Sequence, residues 1–158
     1  TAVIVEVFGR VLAYWSNQQK LAINLTLFNR LPIHEQVNQV IGDFTALELF
    51  AYVKKQTSIK QILEETHQRL LTDIEHNLFD GIDFQRLLRQ HHQIPANSVV
   101  SPVVLTSVLG GSKQSGLFNL PLNDGYQGIE YAISQTAQVW LDNKAYEDDG
   151  GGSGNMRC

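Results

Sequence analysis

Apolar and polar residues alternate along this chain with two different periods, and the changes of period divide it into elements. In the first fifteen residues, Ile4, Phe8, Val11, Leu12 and Trp15 recur at helical spacing, which predicts a helix over 1–15. From Leu21 to Phe28 the period drops to two: Leu21, Ile23, Leu25 and Leu27 fall on one side, and Ala22, Asn24, Thr26 and Phe28 on the other. That pattern predicts a strand with one apolar and one mixed face. Pro32 punctuates, a short helix is expected over 35–40, and the apolar and aromatic run 43–53 reads as a second strand.

Helical spacing then returns. Ser58 stands three residues before Gln61 in a capping-box pattern. Beyond it, Ile59, Ile62, Leu63, Leu70, Ile74 and Leu78 form one stripe with charged residues opposite. Gly81 is expected to break this helix, Phe84, Leu87 and Leu88 mark a shorter one, and Pro95 closes the helical middle section. Residues 102–109 are almost continuously apolar, as in a strand buried on both faces. After the loop GGSKQSG, residues 128–134 and 138–145 read as two further strands. Helix, strand, helix, strand, two helices and then strands make an α/β layer structure, with no internal repeat and no second domain.

Composition narrows what such a structure does. The chain has 158 residues, 43% of them hydrophobic and 18% charged, which suits one soluble globular domain. No apolar run approaches the roughly 20 residues that span a bilayer, and Glu6 and Arg10 interrupt an opening that has no basic leader. A soluble, cytoplasmic protein without a membrane partner is expected. The net charge of −4 and the scattered Lys and Arg argue against nucleic acid, and Lys54-Lys55 reads as a solvated face. The lone Cys158 and lone Met156 lie beyond the run Gly150 to Gly154. Residues 1–149 are therefore taken as the domain, and 150–158 as a Gly/Ser-rich linker or engineered tail. An internal disulfide, a cysteine nucleophile and a thiolate metal site are excluded. His34, His67 and His76 show no metal-ligand spacing, and His91-His92 read as a solvated helix end.

Three polar clusters interrupt the strand-like sequence. In GDFT, Asp43 follows Gly42 at a strand start, the usual place for a turn residue bonding its own backbone. In PVVLTSVLG, Thr106 and Ser107 sit in an apolar run, where a buried hydroxyl needs a partner; strand packing with one backbone bond accounts for them equally. In SQTAQVWLD, an extended Gln138–Asp142 places Gln138, Trp140 and Asp142 on one face. A carboxylate beside Trp140 is a candidate for acid–base work, since desolvation raises a carboxyl pKa, and it also fits an exposed strand end.

Together and in this order, FNRLPIH, GDFTALEL, PVVLTSVLG and SQTAQVWLD resemble the heterocyclization domains of nonribosomal peptide synthetases, over most of residues 1–147. The opening helix, ending VLAYW, looks like the preceding motif of that family. The resemblance implies a chloramphenicol acetyltransferase-like fold of two α/β lobes around a tunnel, of which this chain is an incomplete C-terminal lobe, a mixed sheet with helices packed against it. It also implies the partners: peptidyl carrier proteins, delivering substrates on phosphopantetheine with no cofactor bound directly, and the N-terminal lobe. The implied reaction condenses a carrier-bound acyl group with carrier-bound Cys, Ser or Thr, then cyclodehydrates the product to a thiazoline or oxazoline. The family's second step falls on Thr106 and Asp142, with Asp43, Thr45, Ser107, Gln135 and Gln138 as further tunnel or motif candidates.

Departures from the family pattern set the remaining expectations. Leu105 stands where the family has Phe, and Ala137 replaces the proline of QTPQVWLD. The N-terminal DxxxxD motif and the later WD-containing stretch are not in the sequence. The isolated chain is therefore expected to be inactive. The alternatives are a detached, non-catalytic lobe that binds a carrier or partner lobe, and a condensation or epimerization relative; GDFT and QVWLD favour cyclization over the latter.

Overall fold

The opening helical pattern folds as α1 (Ala2–Trp15), and the first alternating run as β1 (Lys20–Phe28). The computed structural model describes residues 1–95, 97–108 and 137–146. Beyond β1, a single 3₁₀ turn (Val37–Gln39) precedes β2 (Thr45–Val53). The helices α2 (Ile59–Glu75) and α3 (Gly81–His91) follow, then β3 (Val103–Val108) and β4 (Leu141–Tyr146). The sheet order is β2-β1-β3-β4. β1 and β2 are antiparallel, whereas β3 runs parallel to both β1 and β4. This is the mixed sheet with packed helices that the resemblance implied. Among the described residues no helix is long and apolar enough to cross a membrane.

Period-two alternation gives the sheet two unlike faces. On one, Ile23 and Leu25 of β1, Phe50 and Tyr52 of β2 and Leu105 of β3 pack with Val5, Phe8 and Ala13 of α1 and Leu70 of α2. The buried stripe of α1 thus passes through Val5, Phe8 and Ala13, while Val11 and Trp15, expected inside, are exposed. Glu6 is buried on this stripe, where it accepts from Arg10 Nη2 at 2.9 Å and from the Tyr52 hydroxyl at 3.3 Å. Burial first, then the nearby carboxylate, pushes the Tyr52 phenol up to about 12. Gly9 is required here, because a Cβ at that position would stand 2.4 Å from the Tyr52 ring.

Local signals explain the helix ends. The Ser58 side chain accepts from Gln61 N at 3.3 Å, but the Gln61 side chain bonds to Glu65, so only half of the capping box forms. α2 stops at Glu75 and leaves Leu78 outside the helix and exposed. Gly81 does not break α2; it opens α3, which Asp80 caps by accepting from Ile82 N and Asp83 N at 2.8 and 2.9 Å. Its missing side chain lets α3 approach β2, since a Cβ would lie 2.8 Å from the Leu47 carbonyl oxygen.

Four expectations are corrected by this arrangement. The helix expected over 35–40 is one 3₁₀ turn. β2 starts at Thr45, because Asp43 is engaged in the turn before it. In β3 only the Leu105 side is fully covered, by the α1 core; Val104 and Thr106 on the other side are half-buried. The last strand begins at Leu141, since Gln138 takes a left-handed φ of 66° that no strand accommodates. The strand expected over 128–134 and the tail 150–158 lie outside the described residues.

Candidate functional site

The second face of the sheet carries the polar residues. Parallel pairing sets Thr26 of β1 opposite Thr106 of β3, and Thr106 opposite Lys144 of β4. One pleat away, Asn24, Val104 and Asp142 form the next row. α3 flanks this face, and the space between is a groove of about 730 Å³ rather than an enclosed cavity. Most of its lining side chains are polar or charged, with apolar wall at Leu47, Ile82, Val99 and Val139 between them.

Each polar group is held. The Thr106 hydroxyl donates to Thr26 Oγ1 at 3.0 Å. Lys144 Nζ stands 3.4 Å from Asp142 Oδ2, and the Asp142 side chain retains 20% of its exposure. Asn24 is 3% exposed. Its amide donates to the Ser101 carbonyl at 2.8 Å and accepts from Gln85 Nε2 at 2.9 Å, joining β1, α3 and the approach to β3. From α3, Arg89 donates to the carbonyls of Pro95 and Ser98 and to Gln138 Oε1 at 3.0 Å. The last bond spans the groove and holds the left-handed Gln138.

At one end of the groove stand Asp43 and Thr45 of GDFT, and the neighbouring FNRLP packs against GDFT from outside the groove lining. Arg30 lies over the Phe44 ring at 4.0 Å and the Phe28 ring at 5.4 Å, while its Nη1 donates to the carbonyls of Val37 and Val40. Asn29 N donates to the Phe44 carbonyl at 2.8 Å. Asp43 Oδ1 accepts from Thr45 N at 2.9 Å, the turn role open to it from sequence. Hydrogen bonds from Thr45, first from its side chain and then from its backbone, hold the Asp43 carboxyl below its ordinary range.

Of the residues singled out from sequence, Asp43, Thr45, Thr106, Gln138 and Asp142 line this one groove. Ser107 does not: strand alternation turns it to the opposite face, where its Oγ lies 3.2 Å from Thr1 Oγ1. Trp140 also departs from expectation. It is 78% exposed and does not line the groove, because the strand that would align it with Asp142 begins only at Leu141. Gln135 lies outside the described residues. Sequence reasoning missed Thr26, Asn24, Gln85, Arg89 and Lys144. For Asn24 and Thr26 a signal existed, as the polar positions on the mixed side of β1; for the others only the packing of α3 and the register of β4 reveals the role.

The groove thus combines a hydroxyl pair, a carboxylate beside an ammonium, and carboxamides, with apolar residues between them. Such a set suits proton exchange with a bound polar substrate, with orientation supplied by neighbours that are themselves hydrogen-bonded.

No family model matches the sequence. Among curated proteins, bacitracin synthase 1 of Bacillus licheniformis is 35% identical over 153 residues, covering 96% of this chain and 3% of that protein. Phenyloxazoline synthase MbtB of Mycobacterium sp. (strain MCS) is 32% identical over 145 residues, covering 91% of this chain and 12% of that protein. Among solved structures, the EpoB NRPS cyclization-docking bidomain from Sorangium cellulosum superposes with a TM-score of 0.71 at 32% identity, over 94% of this chain and 29% of that one. The chain therefore spans a small part of each protein it matches.

Proposed function

This chain belongs to the cyclization domains of nonribosomal peptide synthetases, and from that premise we propose that its groove is one wall of a site for heterocyclization. The complete domain joins a carrier-bound acyl group to the amine of carrier-bound Cys, Ser or Thr. It then drives that residue's side chain onto the new amide carbonyl, with loss of water, to a thiazoline or oxazoline. Its partners in this reading are peptidyl carrier proteins, which present both substrates on phosphopantetheine, and the remainder of the cyclization domain.

The observation that carries the proposal is the meeting of Thr106 and Asp142 on one face of adjacent strands, in a single groove. Ring closure passes through a tetrahedral carbon that bears a hydroxyl. Expelling that hydroxyl as water requires a proton, and forming the C=N bond requires removal of the proton on nitrogen. Asp142, a carboxyl on the same sheet face as Thr106, is suited to exchanging both, and Thr106 orients that carboxyl or the intermediate. The described residues form an open groove, and the chain spans 29% of the solved bidomain chain, so the isolated segment is expected to yield no ring.

The test is Asp142→Asn in the complete domain, with both carriers loaded and a cysteine acceptor. Asn keeps the shape of Asp but exchanges no proton, and positioned acid–base groups contribute about 10² to 10⁴ in rate. Amide formation expels a thiolate, which needs little acid help, so open-chain amide should accumulate on the carrier while the product lighter by one water falls away. Normal ring formation would place the proton exchange elsewhere, and loss of both products would give Asp142 a structural role.

A further inference from the structure

The Thr26–Thr106 pair supports a more specific statement about how the groove works, one that rests on the assignment of Thr106 to ring closure. Thr26 and Thr106 are register partners on parallel strands, and their hydroxyl oxygens stand 3.0 Å apart with Thr106 as donor. A threonine hydroxyl carries one proton and two lone pairs. With its proton committed to Thr26, Thr106 meets the groove as an acceptor only. Both side chains are β-branched and stiff about χ1, and each is fixed in the middle of a strand, so the pair does not readily reorient. The bond is also partly buried, where an unmade hydrogen bond costs more than in water.

We propose that Thr26 is a positioning residue for cyclodehydration: it takes the Thr106 proton and thereby aims a Thr106 lone pair into the groove. The partner of that lone pair must be a donor. The donors near it during ring closure are the ammonium of Lys144, its register partner on β4, the substrate's amide N–H and carbinol hydroxyl, and a carboxyl proton on Asp142, one pleat away on that neighbouring strand. Thr106 therefore holds a donor in place and does not itself stabilise the developing negative charge on oxygen. Amide formation, which precedes the tetrahedral carbinol, makes no use of this lone pair. The proposal thus predicts a selective effect on the second step.

The experiment uses the complete domain with both loaded carriers, and follows ring and open-chain products by mass over time. Thr26→Val keeps shape and strand preference but accepts no hydrogen bond. It should lower the ratio of ring to open-chain product by about tenfold, the effect of one ordinary hydrogen bond. Thr26→Ser, which restores the acceptor, should recover most of that loss. In a Thr106→Val background, Thr26→Val should produce no further drop, because its target is gone. Melting temperatures of all variants check folding; should Thr26→Val not fold, Thr26→Ala and Thr26→Ser supply the same contrast. A wild-type product ratio in Thr26→Val, or independent losses in the double variant, overturns the proposal while leaving Thr106 in its role. Undiminished ring formation in Thr106→Val overturns the assignment of Thr106 itself, and this proposal with it.

Discussion

The same strands present two surfaces of opposite design. Toward α1 and α2, β1 and β3 turn Ile23, Leu25 and Leu105, all almost fully buried. One residue further along, the same strands turn Asn24, Thr26 and Thr106 toward α3 and the groove. The first face is held by the removal of apolar area from water, which is undirected and tolerates small shifts. The second is held by a short list of directed bonds, Thr106 to Thr26, Gln85 to Asn24 and Arg89 to Gln138 among them. A surface of the second kind stabilises the fold less per residue, but it fixes donors and acceptors to the fraction of an ångström that chemistry requires.

Substituting neighbours on β3 gives the largest contrast. Leu105→Ala removes a fully buried side chain from the α1 core and should destabilise by about 2–5 kcal/mol, read as a shift in urea midpoint. Thr106→Val, one position on and facing the groove, should cost about 0.5–1.5 kcal/mol, the worth of one ordinary hydrogen bond, while depressing ring formation. Comparable losses of stability at both positions would erase the distinction between the faces.

Asn24 tests whether the groove face has any structural weight of its own. Asn24→Ala strands the Ser101 carbonyl and the Gln85 amide and should cost about 1–3 kcal/mol. The loss should appear as faster hydrogen exchange at the start of β3 and along α3, with α1 unaffected. A change confined to the immediate surroundings of residue 24 would reduce Asn24 to a local contact.

The smallest effects are on pH dependence, and they have opposite signs on the two faces. Asp43, at the groove, is held below its ordinary value by the Thr45 hydrogen bonds. Its contribution is present above its unfolded pKa and is lost as pH falls through the folded one. Glu48 points to the helix-covered side, where burial first, and then Asp73, raise its carboxyl. Stability associated with it is fullest below the unfolded pKa and is lost as pH rises through the folded value. Asp43→Asn should therefore lower the melting temperature slightly near neutrality and not in acid. Glu48→Gln should raise it slightly near neutrality and not in acid. Equal slopes for both variants would contradict these environments.

Much of the backbone was legible without coordinates, for reasons that are local. The period of β1, the apolar richness of β2, the Ser58 cap of α2 and the spacing of α1 all act through near neighbours in the chain. The motif order FNRLP, GDFT, PVVLTS and QVWLD likewise pointed to the family, and offered Thr106 and Asp142 as candidates. The tertiary structure alone decided which of two adjacent hydroxyls faces the groove. Alternation says that Thr106 and Ser107 point apart, but only the side taken by α1 makes Thr106 the groove residue. Packing likewise sent Trp140 outward, buried Glu6 beside Tyr52, and brought Lys144, Arg89 and Gln85 to one place. Those relations join residues tens of positions apart through strand register and helix placement, and no short window of sequence encodes either. A chain's local pattern sets its elements because torsional preference and one-sided burial operate within a few residues, whereas a site of converging side chains exists only once the elements have been laid against one another.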